Sequence, residues 1–163
     1  MSATHLVIIS DRTALSWVLH EQRMAFPAGR SRAARAIGEE DELLLYSTRG
    51  CFRNPTRDVG RILGHATVAS PVRVLDEPVS FGERTFTEGC TLRIHGLTPI
   101  HEGVSLRDHV DRLTVFPHPE TWSVRMRRAS LPLPPADADL LHDELRPLLQ
   151  PYVETVNGYR WPR

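Results

Sequence analysis

Two rhythms of apolar and polar positions run along the chain, and they predict a mixed architecture. His5-Leu6-Val7-Ile8-Ile9-Ser10 is almost continuously apolar and predicts a first strand buried on both faces. Asp11 stands where a helix N-cap belongs. From Arg12 to about Met24, Leu15, Val18, Leu19 and Gln22 share one helical face, with Trp17 beside it. Phe26-Pro27-Ala28-Gly29 reads as a loop, and Ser31 to Ile37 as a short second helix closed by Gly38. The acidic run Glu39-Glu40-Asp41-Glu42 is a solvated turn before Leu43-Leu44-Leu45, which ends on Tyr46-Ser47-Thr48 and reads as a second buried strand. Gly50 and Asn54-Pro55 punctuate the loop that follows.

Further strands are expected over Ile62 to Ser70, with Gly64 at a bulge or close approach, and over Pro71 to Leu75. Phe81 to Phe86 resembles a turn entering a strand, and Cys90 to Leu97 alternates cleanly. Ser105 begins a helix through Leu113, Trp122 to Leu131 alternates as a strand, and Asp137 or Asp139 caps a last helix with Leu140, Leu141, Leu145, Leu148 and Leu149 inward. The expected organisation is one domain over 1–150 and a tail over 151–163, whose Tyr152, Tyr159 and Trp161 can pack back onto the body. About six or seven short strands and three or four helices, without a regular βαβ repeat, argue for a compact α+β barrel.

Composition changes this picture in one respect. Apolar content is 40 % and charged content 25 %, ordinary for a globular protein, and the formal net charge is zero. All 20 basic residues are arginine. Lysine chemistry is thereby excluded: no Schiff base, no P-loop phosphate ligand, no lysine general base. Residues 1–73 carry ten arginines against seven acids, and within 43–73 there are five arginines and one acid. A local basic patch on a neutral protein fits a modest nucleic-acid contact. No apolar run approaches the length of a membrane span. The start, MSATHLVIIS, lacks the basic opening and apolar length of a signal peptide, so a cytoplasmic location is expected.

The candidate chemistry gathers around the second strand. It delivers Tyr46, Ser47, Thr48, Arg49, Phe52, Arg53 and Arg57 to one loop. Rings stack on a flat ligand, hydroxyls meet its edge and arginines meet its phosphate. A sheet rim with a solvated basic loop is the plainer alternative. Other chemistries lack their patterns. Cys90, His95, His101, His109 and His118 have none of the close-pair spacings of a zinc site, so no metal and no cofactor is expected. Cys51 and Cys90 read as two reduced thiols. No G-x-S-x-G, P-loop, G-x-G-x-x-G or H-E-x-x-H occurs.

In order, these features resemble an EVE-type domain of the PUA-like superfamily, related to the YTH and ASCH domains. The resemblance spans roughly Leu6 to Leu149. It rests on the buried first strand, the Trp-bearing helix and the short helix closing at Gly38. It rests also on Glu42-Leu43-Leu44-Leu45-Tyr46-Ser47-Thr48, where the family has a GD-x-φ-φ-x-Y segment (φ apolar), and on Gly60 to Val68, the Trp122 to Arg127 stretch and the Leu-rich last helix. Two departures stand out. Gly38-Glu39-Glu40-Asp41 replaces Gly-Asp, and the first strand closes on Ile9-Ser10 without the family's aromatic residue, so either Trp17 or Phe26 supplies that wall or the pocket differs from the family's.

The resemblance implies a PUA-like mixed β pseudo-barrel flanked by short helices. It also implies a module without catalysis that binds DNA or RNA and accepts a flipped base, plain or modified, in an aromatic pocket. The base-binding candidates are Ser10, Trp17, Phe26, Tyr46, Ser47, Thr48 and Phe52, with Tyr46 equally readable as an ordinary core tyrosine. The phosphate candidates are Arg30, Arg32, Arg35, Arg49, Arg53 and Arg57. The expected site is a hollow beside the Tyr46 strand end. Two other readings stay open. One is an ASCH-like hydrolase of a modified nucleoside in the same pocket, with Glu42 or Asp58 as base. The other is an interaction module using exposed Tyr159 and Trp161.

Overall fold

The computed structural model describes residues 2–27, 34–53 and 58–161. Its frame is a curled sheet of eight strands in the order β2-β6-β4-β3-β1-β8, with β5 added on β6 and β7 on β4. The strands are β1 (Thr4–Ile9), β2 (Arg23–Pro27), β3 (Glu42–Ser47), β4 (Arg61–Val68), β5 (Arg73–Phe81), β6 (Arg84–Leu97), β7 (Val104–Ser105) and β8 (Ser130–Leu133). β1 and β3 run parallel, and the other pairings are antiparallel. The long β6 closes the curl: its second half pairs with β4, while its first half pairs with β2 and β5. The result is a half-barrel with short helices around it.

β3 lies near the middle of the sheet and is dry on both sides. Leu43 and Leu45 join one core cluster, with Val7, Leu15, Leu19 and Phe26. Leu44 and Tyr46 join the other, with Leu6, Ile62, Leu141 and Leu145. Strand alternation thus sends successive apolar residues into two separate cores. Helix α1 (Arg12–Glu21) covers the first core, and α2 (Pro135–Leu145) covers the second. Each fully buried leucine contributes roughly 1.5–3 kcal/mol of transfer free energy, so the β3 run is a principal source of stability.

Asp11 caps α1 as its position predicts, accepting from the Thr13 amide at 3.0 Å. Three local readings are corrected. First, α1 stops at Glu21, because Gln22 turns left-handed (φ 50°) and sends the chain straight into β2. Gln22 then accepts from Leu92 N and Ile94 N instead of continuing a helical stripe. Phe26-Pro27 is therefore strand, not loop. Second, Trp122 to Leu131 is not one strand. Pro119 opens a helical turn that continues through Trp122–Arg125, and the strand begins only at Ser130. A strand would bury Val124 beside Trp122 and Met126, but Val124 is 54 % exposed. The four-residue spacing of Trp122 and Met126 carries both onto the second core.

Third, Asp137 does not cap α2. Its buried carboxylate accepts from Thr114 N (3.0 Å), Thr114 Oγ1 (3.1 Å) and Val115 N (2.8 Å), tying the connection after β7 to the helix. The segment after Gln150 packs back onto the body through its aromatic residues. Tyr159 is fully buried and donates to Thr98 O at 2.8 Å, and Tyr152 OH donates to Leu19 O at 2.6 Å. Trp161 is partly buried against the first core. The exposed-aromatic interaction module is overturned by that burial. Among the described residues no helix is long and apolar enough to cross a membrane.

This packing has measurable consequences. Asp137→Ala leaves three donors without an acceptor and lowers stability by about 2–3 kcal/mol in urea denaturation. Burial pushes the Cys51 thiol up to about 12 and the Cys90 thiol up to about 11, with nearby Asp11 and Asp58 adding to the effect at Cys51. Both should therefore resist a maleimide or disulfide reagent at pH 8 in the native protein and react at once in denaturant.

Candidate functional site

A cavity of about 260 Å³ opens where β1 and β3 end, between α1 and the β5–β6 hairpin. Its floor is apolar, formed by Ile9, Ala14, Val18 and Met126. Its walls include three aromatic rings. Trp17 comes from α1, and Phe81 and Phe86 from the two arms of the hairpin. Trp17 and Phe81 meet edge-to-face at 5.7 Å, as do Phe81 and Phe86 at 5.3 Å. Gly82 (φ +62°) makes the tight turn that holds the two phenylalanines together. The Arg23 guanidinium lies 5.0 Å from the Trp17 ring centroid and pins the half-buried indole.

Polar groups sit at the mouth. Ser10 and Thr48 follow β1 and β3 directly, and Thr48 N donates to Ile9 O at 3.0 Å, which keeps the two strand ends side by side. Arg84, Arg127 and Arg128 line the cavity and are exposed, against one acid, Asp11, whose carboxylate is engaged in capping α1. Arg84 lies over the Phe86 ring at 5.3 Å. The Arg127–Arg128 corner is held by the bond from Ile8 N to Ala129 O at 2.9 Å. The mouth is positively charged while the interior is apolar and aromatic.

Of the residues singled out from sequence, Ser10, Trp17 and Thr48 line this cavity. Phe26, Tyr46, Ser47 and Phe52 do not; all are buried. Phe26 packs in the first core, behind the cavity wall made by its neighbours Ala25 and Pro27. Tyr46 points into the second core, and burial pushes its phenol up to about 12. Its hydroxyl fills the space over Gly60, where an added Cβ would sit 1.7 Å from it. Ser47 donates to Arg61 O at 3.4 Å. Phe52 packs against His101 (5.0 Å) and Trp161 (5.3 Å). The hollow therefore lies past the end of the Tyr46 strand, and the Tyr46 side itself is solid.

The predicted phosphate arginines are dispersed. Arg30, Arg32 and Arg57 lie outside the described residues. Arg35 is exposed and reaches Glu88 at 3.3 Å. Arg49 and Arg53 are exposed and do not line the cavity. Neither carboxylate suggested as a hydrolytic base is there. Glu42 begins β3 and bonds to His65, while Asp58 is buried against Arg61 and His101. Sequence reasoning missed Phe81, Phe86, Arg84, Arg127 and Arg128. The available signal was Phe81-Gly82-Glu83-Arg84-Thr85-Phe86: two phenylalanines bracketing a glycine turn, in a hairpin with no obvious core to bury them.

No protein-family model and no curated protein matches the sequence. Solved structures do match in shape. The YTH domain of Toxoplasma CPSF4 is similar with a TM-score of 0.57 at 15 % identity, covering 91 % of this chain and 89 % of that one. The YTH domain of the Zygosaccharomyces rouxii MRB1 protein, solved in complex with N6-methyladenosine RNA, gives 0.57 at 16 % identity, covering 88 % of both chains. The DUF55 domain of human thymocyte nuclear protein 1 gives 0.54 at 12 % identity, covering 86 % of this chain and 97 % of that one. The chain shares the fold of these YTH and DUF55 domains. In this chain the cavity lies at the ends of two central parallel strands, β1 and β3, closed by a helix and a hairpin.

Proposed function

We propose that this PUA-like domain is a nucleic-acid-binding module without catalysis, which takes one unstacked, modified base into the Trp17 cavity. The observation that carries the reading is the pairing of an aromatic interior with an arginine mouth in one small hollow. A flipped base offers a flat face to Trp17, Phe81 and Phe86, and an edge to the Ser10 and Thr48 hydroxyls. Its flanking phosphates meet Arg84, Arg127 and Arg128. The volume, about 260 Å³, falls below the roughly 300–1,000 Å³ of pockets for drug-sized ligands and suits a single base. A neutral protein with a local cationic mouth suits a salt-sensitive contact with a short single-stranded segment. The similar Zygosaccharomyces rouxii domain was solved with N6-methyladenosine RNA, which makes methylated adenine the first modification to try.

The test is calorimetric titration of short RNA and DNA oligonucleotides, each with and without a modified base, at two salt concentrations. One base chemistry should be preferred, and affinity should fall as salt rises. Trp17→Ala should cost about 1–3 kcal/mol of stacking, or roughly 5- to 150-fold in affinity. Arg127→Ala and Arg128→Ala should weaken binding to all sequences alike, each lowering the salt slope by about 0.7 for the phosphate it no longer neutralises. Absence of binding to every oligonucleotide contradicts the proposal.

A further inference from the structure

The opposite end of β3 carries a second cluster, about 20 Å of strand away from Thr48. Glu42 opens β3, His65 and Thr67 stand on β4, and His95 stands on β6. Glu42 pairs with Thr67 across the strands, so both face the same way. His95 arrives there through a bulge. His65 pairs with Gly96 and Ala66 with Ile94, which leaves His95 as the extra residue of β6. Its ring then sits 4.8 Å from that of His65, and His142 of α2 meets His65 from the other side at 4.7 Å. Glu42 Oε2 lies 2.5 Å from His65 Nε2, and one potential donor atom from each of Glu42, His65 and His95 falls within 4.8 Å of the others. Residues 42, 65 and 95 are too far apart in sequence to show metal-site spacing, and only the sheet register assembles them.

We propose that Glu42, His65 and His95 bind one divalent transition-metal ion of the zinc class, with a fourth position left to solvent. Two imidazoles and a carboxylate match zinc's preference for nitrogen and oxygen donors. Bonds of about 2.0–2.1 Å in a tetrahedron place donor atoms about 3.3 Å apart. The three donors lie within 4.8 Å of one another, so binding requires them to close by at most about 1.5 Å. The orienting group is already present. Thr67 Oγ1 lies 2.6 Å from His95 Nε2 and donates to Glu42 Oε2 at 3.3 Å. With the one Thr67 proton on Glu42, His95 Nε2–H donates to Thr67 Oγ1 while the ion is absent; an ion taking Nε2 replaces that proton, which moves to Nδ1 or to solvent, and the Thr67 hydroxyl keeps Glu42 as its acceptor. Leu44, Leu141 and Leu145 form an apolar backing under this face. His65 and Glu42 keep 22 % and 31 % of their side chains exposed, so the ion has a path in. Arg93, next to this face, is drawn off by its 2.9 Å pair with Glu40. This site shares no residue with the base cavity and stands or falls independently of it.

The test uses the full chain stripped with a chelator, titrated with zinc by calorimetry and with cobalt(II) by visible absorption. One equivalent should bind, cobalt should show the intense bands of a tetrahedral site, and magnesium should not compete. Thr67→Val should lower zinc affinity by about 10- to 100-fold, and His95→Ala by more. His95 is exposed and Glu42→Gln is nearly isosteric, so both variants should keep the wild-type melting curve. His118→Ala, at an exposed bend outside the cluster, should bind zinc as the wild type does. Absence of saturable binding overturns the proposal. So does full affinity in a folded His65→Ala, His95→Ala double variant, which would mean that the cluster is only a hydrogen-bonded network.

Discussion

The structure depends on β3 being dry on both faces. Leu43 and Leu45 serve one core and Leu44 and Tyr46 the other, all at or near zero exposure. A strand used this way cannot present a side chain to a ligand along its length. Function is forced to its ends. At one end β3 runs out into Thr48 beside Ser10, and the chain opens into a hollow. At the other it begins with Glu42, the first residue free to face solvent and polar partners.

That constraint also explains the composition of the cavity. The central strands supply only two hydroxyls at their tips, so the rings must come from elements laid over the sheet. α1 brings Trp17, and the β5–β6 hairpin brings Phe81 and Phe86. The hairpin pairs only through β6, and most of β5 is exposed. It has no core of its own to serve, so its aromatic residues find partners in one another and in Trp17. The guanidinium groups follow the same logic. Arg127 and Arg128 sit on a corner after a helical turn, where the backbone is tied to β1 but the side chains are not packed.

Much of the fold was legible in sequence because its signals are local. The Leu43–Leu45 run, the Asp11 cap, the alternation through Cys90–Leu97 and the order of elements each point the same way as the sheet itself. The misreadings arise where a short segment suits two periods. Trp122, Val124 and Met126 fit a strand until Val124 is seen to face solvent, and Phe26-Pro27 looks like a loop until Gln22 turns the chain. The site was half legible. Ser10 and Thr48 lie just past the ends of predicted strands, and Trp17 beside the apolar stripe of a predicted helix, so local pattern alone marks all three. Tyr46 and Phe52 were attractive as aromatic residues near arginines, but an aromatic ring gains most from burial, and both are buried. The hairpin phenylalanines and the Glu42, His65 and His95 cluster depend on long-range register, which no local pattern reports.

The most direct measurement is a nuclear magnetic resonance titration of the side chains with a short single-stranded oligonucleotide carrying one modified base. The chain has three tryptophans, so their indole N–H signals are separable. Saturable shifts at the Trp17 indole and the Arg84, Arg127 and Arg128 side chains, with Trp122, Tyr46 and Phe52 unmoved, are what a ligand entering this hollow produces. Shifts centred on Phe52 and Trp161, or none at Trp17 at saturating oligonucleotide, would contradict the account.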